Sequence, residues 1–89
     1  LPPYPNPSKY GYINFPYIIV EGESYVEFKI YDLSGNLIFE KNFENMPCGR
    51  HLFKWDLKDK NGKKVLPGNY IAVLKTSFNT SYQKFSIIK

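Results

Sequence analysis

Phe53-Lys54-Trp55-Asp56-Leu57-Lys58-Asp59-Lys60-Asn61-Gly62-Lys63-Lys64-Val65-Leu66-Pro67-Gly68-Asn69-Tyr70 is the stretch that decides the fold. It reads as a strand, a polar turn, a short extended link, a second turn and the start of another strand. Trp55 and Tyr70 are its large apolar anchors. Gly62 and the pair Pro67-Gly68 are its punctuation, because glycine tolerates positive φ and proline fixes φ near −65°. Asp56, Asp59 and Asn61 ahead of Gly62 resemble an oxygen-rich calcium loop. An EF-hand with Gly62 at its sixth position would need ligands at 57, 59 and 61 and an acid at 68. Position 57 is Leu and 68 is Gly, so a plain turn closed by Asn-Gly accounts for these residues better.

The rest of the chain repeats the pattern of short strands and turns. Tyr25 to Asp32 alternates, with Val26, Phe28 and Ile30 on one face and Glu27, Lys29 and Tyr31 on the other. Period-two alternation predicts a strand with one buried face. Asp32-Leu33-Ser34-Gly35-Asn36 is a turn with Gly35 at a positive-φ position, and Leu37–Phe43 returns as the hairpin partner. Upstream, Tyr12–Phe15 predicts a strand, Pro16 marks an edge, a bulge or a strand switch, and Glu21–Ser24 is a polar turn. Downstream, 44–49 is a loop, His51–Asp56 a strand, Asn69–Phe78 a central strand, and Ser81–Ile88 the closing strand. No amphipathic helix of useful length is present. Strands spaced in this way predict an all-β, immunoglobulin-like (fibronectin III-like) antiparallel β-sandwich of about seven strands. Its expected core is Phe15, Val26, Phe28, Ile30, Leu37, Phe39, Phe53, Trp55, Tyr70, Ala72, Leu74, Phe85 and Ile87.

Composition supports that class. A chain of 89 residues is one domain, and at this size it buries only roughly 60–65% of its unfolded surface. Its core must therefore be aromatic-rich, and 18% Phe, Tyr and Trp supplies one suited to pleated surfaces. Residues 1–9 hold four prolines and read as a lead-in or linker, leaving 10–89 as the domain. The chain opens without Met, which is read as a domain cut from a longer protein or a mature fragment. It carries no signal-peptide pattern and no apolar run near the ~20 residues a membrane span needs.

The net charge of +4 is mostly lysine, with Lys29, Lys54, Lys75 and Lys84 alternating with apolar residues along strands. Arg50 is the only arginine. Solvated strand faces explain this better than a nucleic-acid surface, which needs clustered Lys and Arg. Cys48 is alone, so no internal disulfide forms. Cys48 and His51 cannot make a four-ligand zinc site by themselves, and as a nucleophile pair their spacing matches no recognised arrangement. Trp55 reads as the plug between two sheets rather than a sugar platform. Some of Tyr4, Tyr10, Tyr12, Tyr17 and Tyr82 are expected at the surface, where a carbohydrate or protein could contact them. Tyr70, just after Pro67-Gly68, is placed to tie that turn down through its hydroxyl.

The residues Tyr4-Pro5-Asn6-Pro7, Phe28-Lys29-Ile30-Tyr31-Asp32-Leu33-Ser34-Gly35 and Trp55-Asp56…Asp59…Gly62…Val65…Gly68-Asn69-Tyr70 together resemble the FlgD-type immunoglobulin-like domain. That module occurs in flagellar hook-capping proteins, and similar modules stand at the C-terminus of secreted bacterial proteins, including sorting domains of type IX secretion cargo. Leu57 departs from the family, which often has Gly after Trp-Asp, so the turn there is expected to differ. The resemblance implies structural motif residues (Asp32, Gly35, Trp55, Asp56, Asp59, Gly62, Pro67, Gly68, Tyr70) and no catalytic, metal or cofactor site. It implies a non-catalytic C-terminal module of a secreted or cell-surface protein, for sorting, attachment or spacing, docking through a strand edge. Its partners would be the parent's other domains and secretion or surface-assembly machinery. A flagellar hook-capping assembly domain and a carbohydrate-binding module are the alternatives.

Overall fold

The computed structural model describes residues 11–88. The proline-rich lead-in over residues 1–9, with Tyr4, lies outside them, as does Tyr10. Six strands follow one another: β1 (Ile13–Ile19), β2 (Val26–Asp32), β3 (Leu37–Phe43), β4 (Gly49–Trp55), β5 (Gly68–Thr76) and β6 (Thr80–Ile87). They form two antiparallel sheets, a narrow one ordered β1-β4 and a wider one ordered β3-β2-β5-β6. The architecture is the expected immunoglobulin-like sandwich, with six strands among the described residues rather than about seven.

Each strand follows from its alternation. In β2, Val26, Phe28 and Ile30 are buried while Glu27, Lys29 and Tyr31 are not. In β1 the buried set is Ile13, Phe15, Tyr17 and Ile19. Tyr17 is therefore core, because an odd-numbered position on this strand faces the other sheet; Tyr82, at 72% exposure, is at the surface. The strand expected over Tyr12–Phe15 runs on through Pro16 to Ile19. Pro16 pairs with Leu52, and among the described residues β4 is the one neighbour of β1, a setting in which a missing N–H is tolerated.

The two sheets meet through aromatic rings. Phe28 in β2 stands 4.6 Å from Phe53 in β4 and 5.2 Å from Tyr17 in β1. Trp55, 1% exposed, lies 5.9 Å from Phe39 and 6.0 Å from Phe85, rings from opposite margins of the wider sheet. It is the plug that the sequence predicted. Of the expected core, Phe39, Phe53 and Leu74 pack against it half-buried. Leu37, first residue of β3 beside an exposed turn, is only half-buried and falls outside the cluster. Ile13, Tyr17, Ile19 and Leu57 join the core beyond those expected.

Candidate functional site

The predicted motif residues gather at the end of the sandwich where β2 and β4 finish and β3 and β5 begin. Two turns there share one construction. In Asp32–Asn36, the Asp32 Oδ1 accepts the N–H groups of Ser34 and Asn36. The Asp32 N–H donates to the Asn36 carbonyl, and the Gly35 N–H to the Asp32 carbonyl. In Asp59–Lys63, Asp59 Oδ1 accepts from the N–H groups of Asn61 and Lys63, and the same two backbone bonds recur through Gly62. Gly35 and Gly62 have φ of 90° and 84°, the left-handed region in which a Cβ is strained. The aspartate acts in each case as a local template that satisfies two turn amides.

These turns are tied to the body of the domain. The Trp55 indole donates to the Lys58 carbonyl, and the Lys60 N–H to the Ile38 carbonyl of β3. The Tyr70 hydroxyl donates to the Leu66 carbonyl at 2.5 Å, the tether expected of it. Asp32 pairs with Tyr70 across β2 and β5. Hydrogen bonds, chiefly from the Asn36 side chain, hold the Asp32 carboxyl below its ordinary pKa. Burial, and then the Asp32 charge, push the Tyr70 phenol up. Asp56 is exposed and stands 4.0 Å from Lys58. Pro67 is exposed in the link, and Gly68 opens β5.

Leu57 follows Trp55-Asp56 at the start of this turn. Its φ is 63° and its side chain is 6% exposed. The backbone takes the left-handed conformation that glycine adopts freely, while the leucine side chain packs in the core.

The opposite end holds a node that the sequence did not reveal. Glu23, expected in a polar turn, is 6% exposed. Its carboxylate accepts from the Thr76 hydroxyl and from the N–H groups of Val20 and Phe78. These bonds, the Thr76 one foremost, lower its pKa. Thr76 lies 53 residues away along the chain, so no local pattern marks the pair. The carboxylate joins the end of β1 to the β5–β6 turn.

Cys48 is exposed. His51 stacks on Tyr17 at 5.2 Å, with Nε2 2.8 Å from the Pro47 carbonyl oxygen. Among the described residues, no group of three or more His, Cys, Asp or Glu side chains is placed to hold a metal. No helix among them is long and apolar enough to cross a membrane.

The aspartate-templated turns, the buried tryptophan and the tyrosine tether together define an immunoglobulin-like structural module. Residues 11–78 match the family model of the FlgD Ig-like domain, and the chain belongs to that family. No curated protein matches it in sequence.

Proposed function

We propose that this domain is a non-catalytic accessory module of a longer secreted or cell-surface protein, serving to assemble, attach or space its neighbours. The observation that carries this reading is family membership, since the FlgD Ig-like domain spans residues 11–78. The geometry agrees with it. Asp32 and Asp59 serve as turn templates, Trp55 as a core plug and Tyr70 as a tether, through contacts within the domain. A carbohydrate platform built on Trp55 is disfavoured, since its ring is 1% exposed.

The same match favours a second reading, assembly into a flagellar hook cap. A sorting role rests instead on the Pro5-Asn6-Pro7 opening and the Phe85-Ser86-Ile87-Ile88-Lys89 close, both beyond the matched span. The test is deletion of this segment from the parent protein in its native host, followed by blotting of cell and culture fractions. Retention of the truncated parent inside the cell supports sorting or anchoring. Export unchanged with lost self-assembly supports the assembly reading. Export, attachment and assembly all unchanged would sink the accessory proposal.

A further inference from the structure

The two margins of the wider sheet differ. At the β3 margin, the Ile38 carbonyl is taken by the Lys60 N–H from the link between β4 and β5. At the other margin, β5 is the one neighbour of β6 among the described residues. β6 runs over Thr80–Ile87 in unbroken register with β5, without a bulge or a proline to blunt it.

We propose that the outer edge of β6 is a homodimer surface, on which β6 of a second copy pairs antiparallel about a two-fold axis at Gln83. The pairing joins two four-stranded sheets into one continuous sheet. The accessory-module reading rests on family membership and the dimer on the geometry of one strand, so either can fail alone.

The backbone parity of β6 comes first. The Thr76 N–H donates to the Asn79 carbonyl, which makes 76 and 79 a hydrogen-bonded pair. Such pairs alternate along an antiparallel ladder. In the register of β5 with β6, Ser81, Gln83, Phe85 and Ile87 therefore turn their backbone groups to β5, and Thr80, Tyr82, Lys84 and Ser86 turn theirs outward. The Lys84 carbonyl agrees with this parity. It accepts from the Gln83 side-chain amide at 3.2 Å, a local stand-in for a neighbouring strand.

Parity then restricts the register. Outward residues must meet outward residues, so a two-fold pairing of β6 with itself centres on a single residue. A pairing centred on Gln83 spans residues 80–86, and one centred on Lys84 spans 81–87. The second sets Lys84 directly against its own copy, and like charges directly opposite are destabilising. The first sets Lys84 of the second copy beside the ring of Tyr82, which is 72% exposed, a cation–π pair made twice by symmetry. Thr80 then meets Ser86 of the second copy, and Gln83 meets its own copy in a narrow, non-hydrogen-bonded pair. Backbone parity and charge thus select one register. The contact is isologous and closes at two copies.

The test is sedimentation velocity on the 89-residue chain over a dilution series from millimolar protein. The wild type should show a monomer–dimer equilibrium. Tyr82→Lys places like charges across both symmetric pairs and should weaken dimerisation about tenfold. Tyr82→Glu sets a carboxylate against Lys84 and should hold dimerisation at or above the wild-type level. Combining Tyr82→Lys with Lys84→Glu should restore it. Each variant should keep the wild-type Trp55 fluorescence, because position 82 lies outside the core. In a Cys48→Ser background, Gln83→Cys should oxidise to a covalent dimer, since a narrow antiparallel pair brings Cα atoms to about 4.5 Å, within disulfide reach. A monomer throughout the series would overturn the proposal, as would equal effects of Tyr82→Lys and Tyr82→Glu. Growth beyond the dimer would overturn it too, by showing that the contact does not close.

Discussion

A leucine at φ 63° with a buried side chain sets two energies against each other. The left-handed backbone costs a non-glycine residue about 1–2 kcal/mol. Truncating a buried leucine to alanine costs about 2–5 kcal/mol. Leu57→Gly recovers the first and loses the second, for a net destabilisation of about 1–3 kcal/mol. Leu57→Ala loses the side chain and keeps the strain, so the alanine variant should be the less stable of the two. Urea unfolding followed by Trp55 fluorescence decides the order, and an alanine variant more stable than the glycine one would contradict this account. Tyr70→Phe isolates the tether. Removing the hydroxyl that donates to the Leu66 carbonyl should cost about 1 kcal/mol, with little change in the denaturant slope.

At the scale of the element, the two Asp-x-x-Gly-x turns are one device used twice, at residues 32–36 and 59–63. What matters is a carboxyl or amide oxygen placed over two amides. Asp59→Asn retains that oxygen and should be nearly neutral. Asp59→Ala leaves the Asn61 and Lys63 amides without their acceptor and should cost about 1 kcal/mol; equal midpoints for the two in urea would show that the template is dispensable. These turns were legible in the sequence because everything they use lies within five consecutive residues. The β2–β3 hairpin and Trp55 were legible for a related reason, since alternation and residue size report burial directly. The continuation of β1 through Pro16 was not, because a proline ends a strand unless the strand is an edge, and edge status is a property of the whole sheet. Glu23 was hidden for the same reason. Its partner Thr76 is brought to it only when β1 and β5 have packed.

For the whole molecule, that Glu23 clasp links titration to folding. Hydrogen bonds lower the carboxyl of Glu23 from its ordinary value of about 4.5 and that of Asp32 from about 3.8. Because the folded-state values are depressed, both contributions are fully present above the unfolded values and fade as pH falls through the folded ones. Tyr17 and Tyr70 are raised above 10.0 by burial. Their contributions are fully present below that value and are lost as pH climbs through the folded-state values. Stability should therefore form a plateau bounded by an acid limb below about pH 4.5 and an alkaline limb above about pH 10. Glu23→Gln holds position 23 neutral at every pH and loses the charge-assisted bonds from Thr76, Val20 and Phe78. Its midpoint in urea should lie below the wild-type value on the plateau, and the acid limb should become shallower because one of the two depressed carboxyls is gone. The alkaline limb should be unchanged, since neither tyrosine's shift is attributed to Glu23. An acid limb of wild-type steepness in Glu23→Gln would show that the clasp does not couple protonation to the closure of the two sheets.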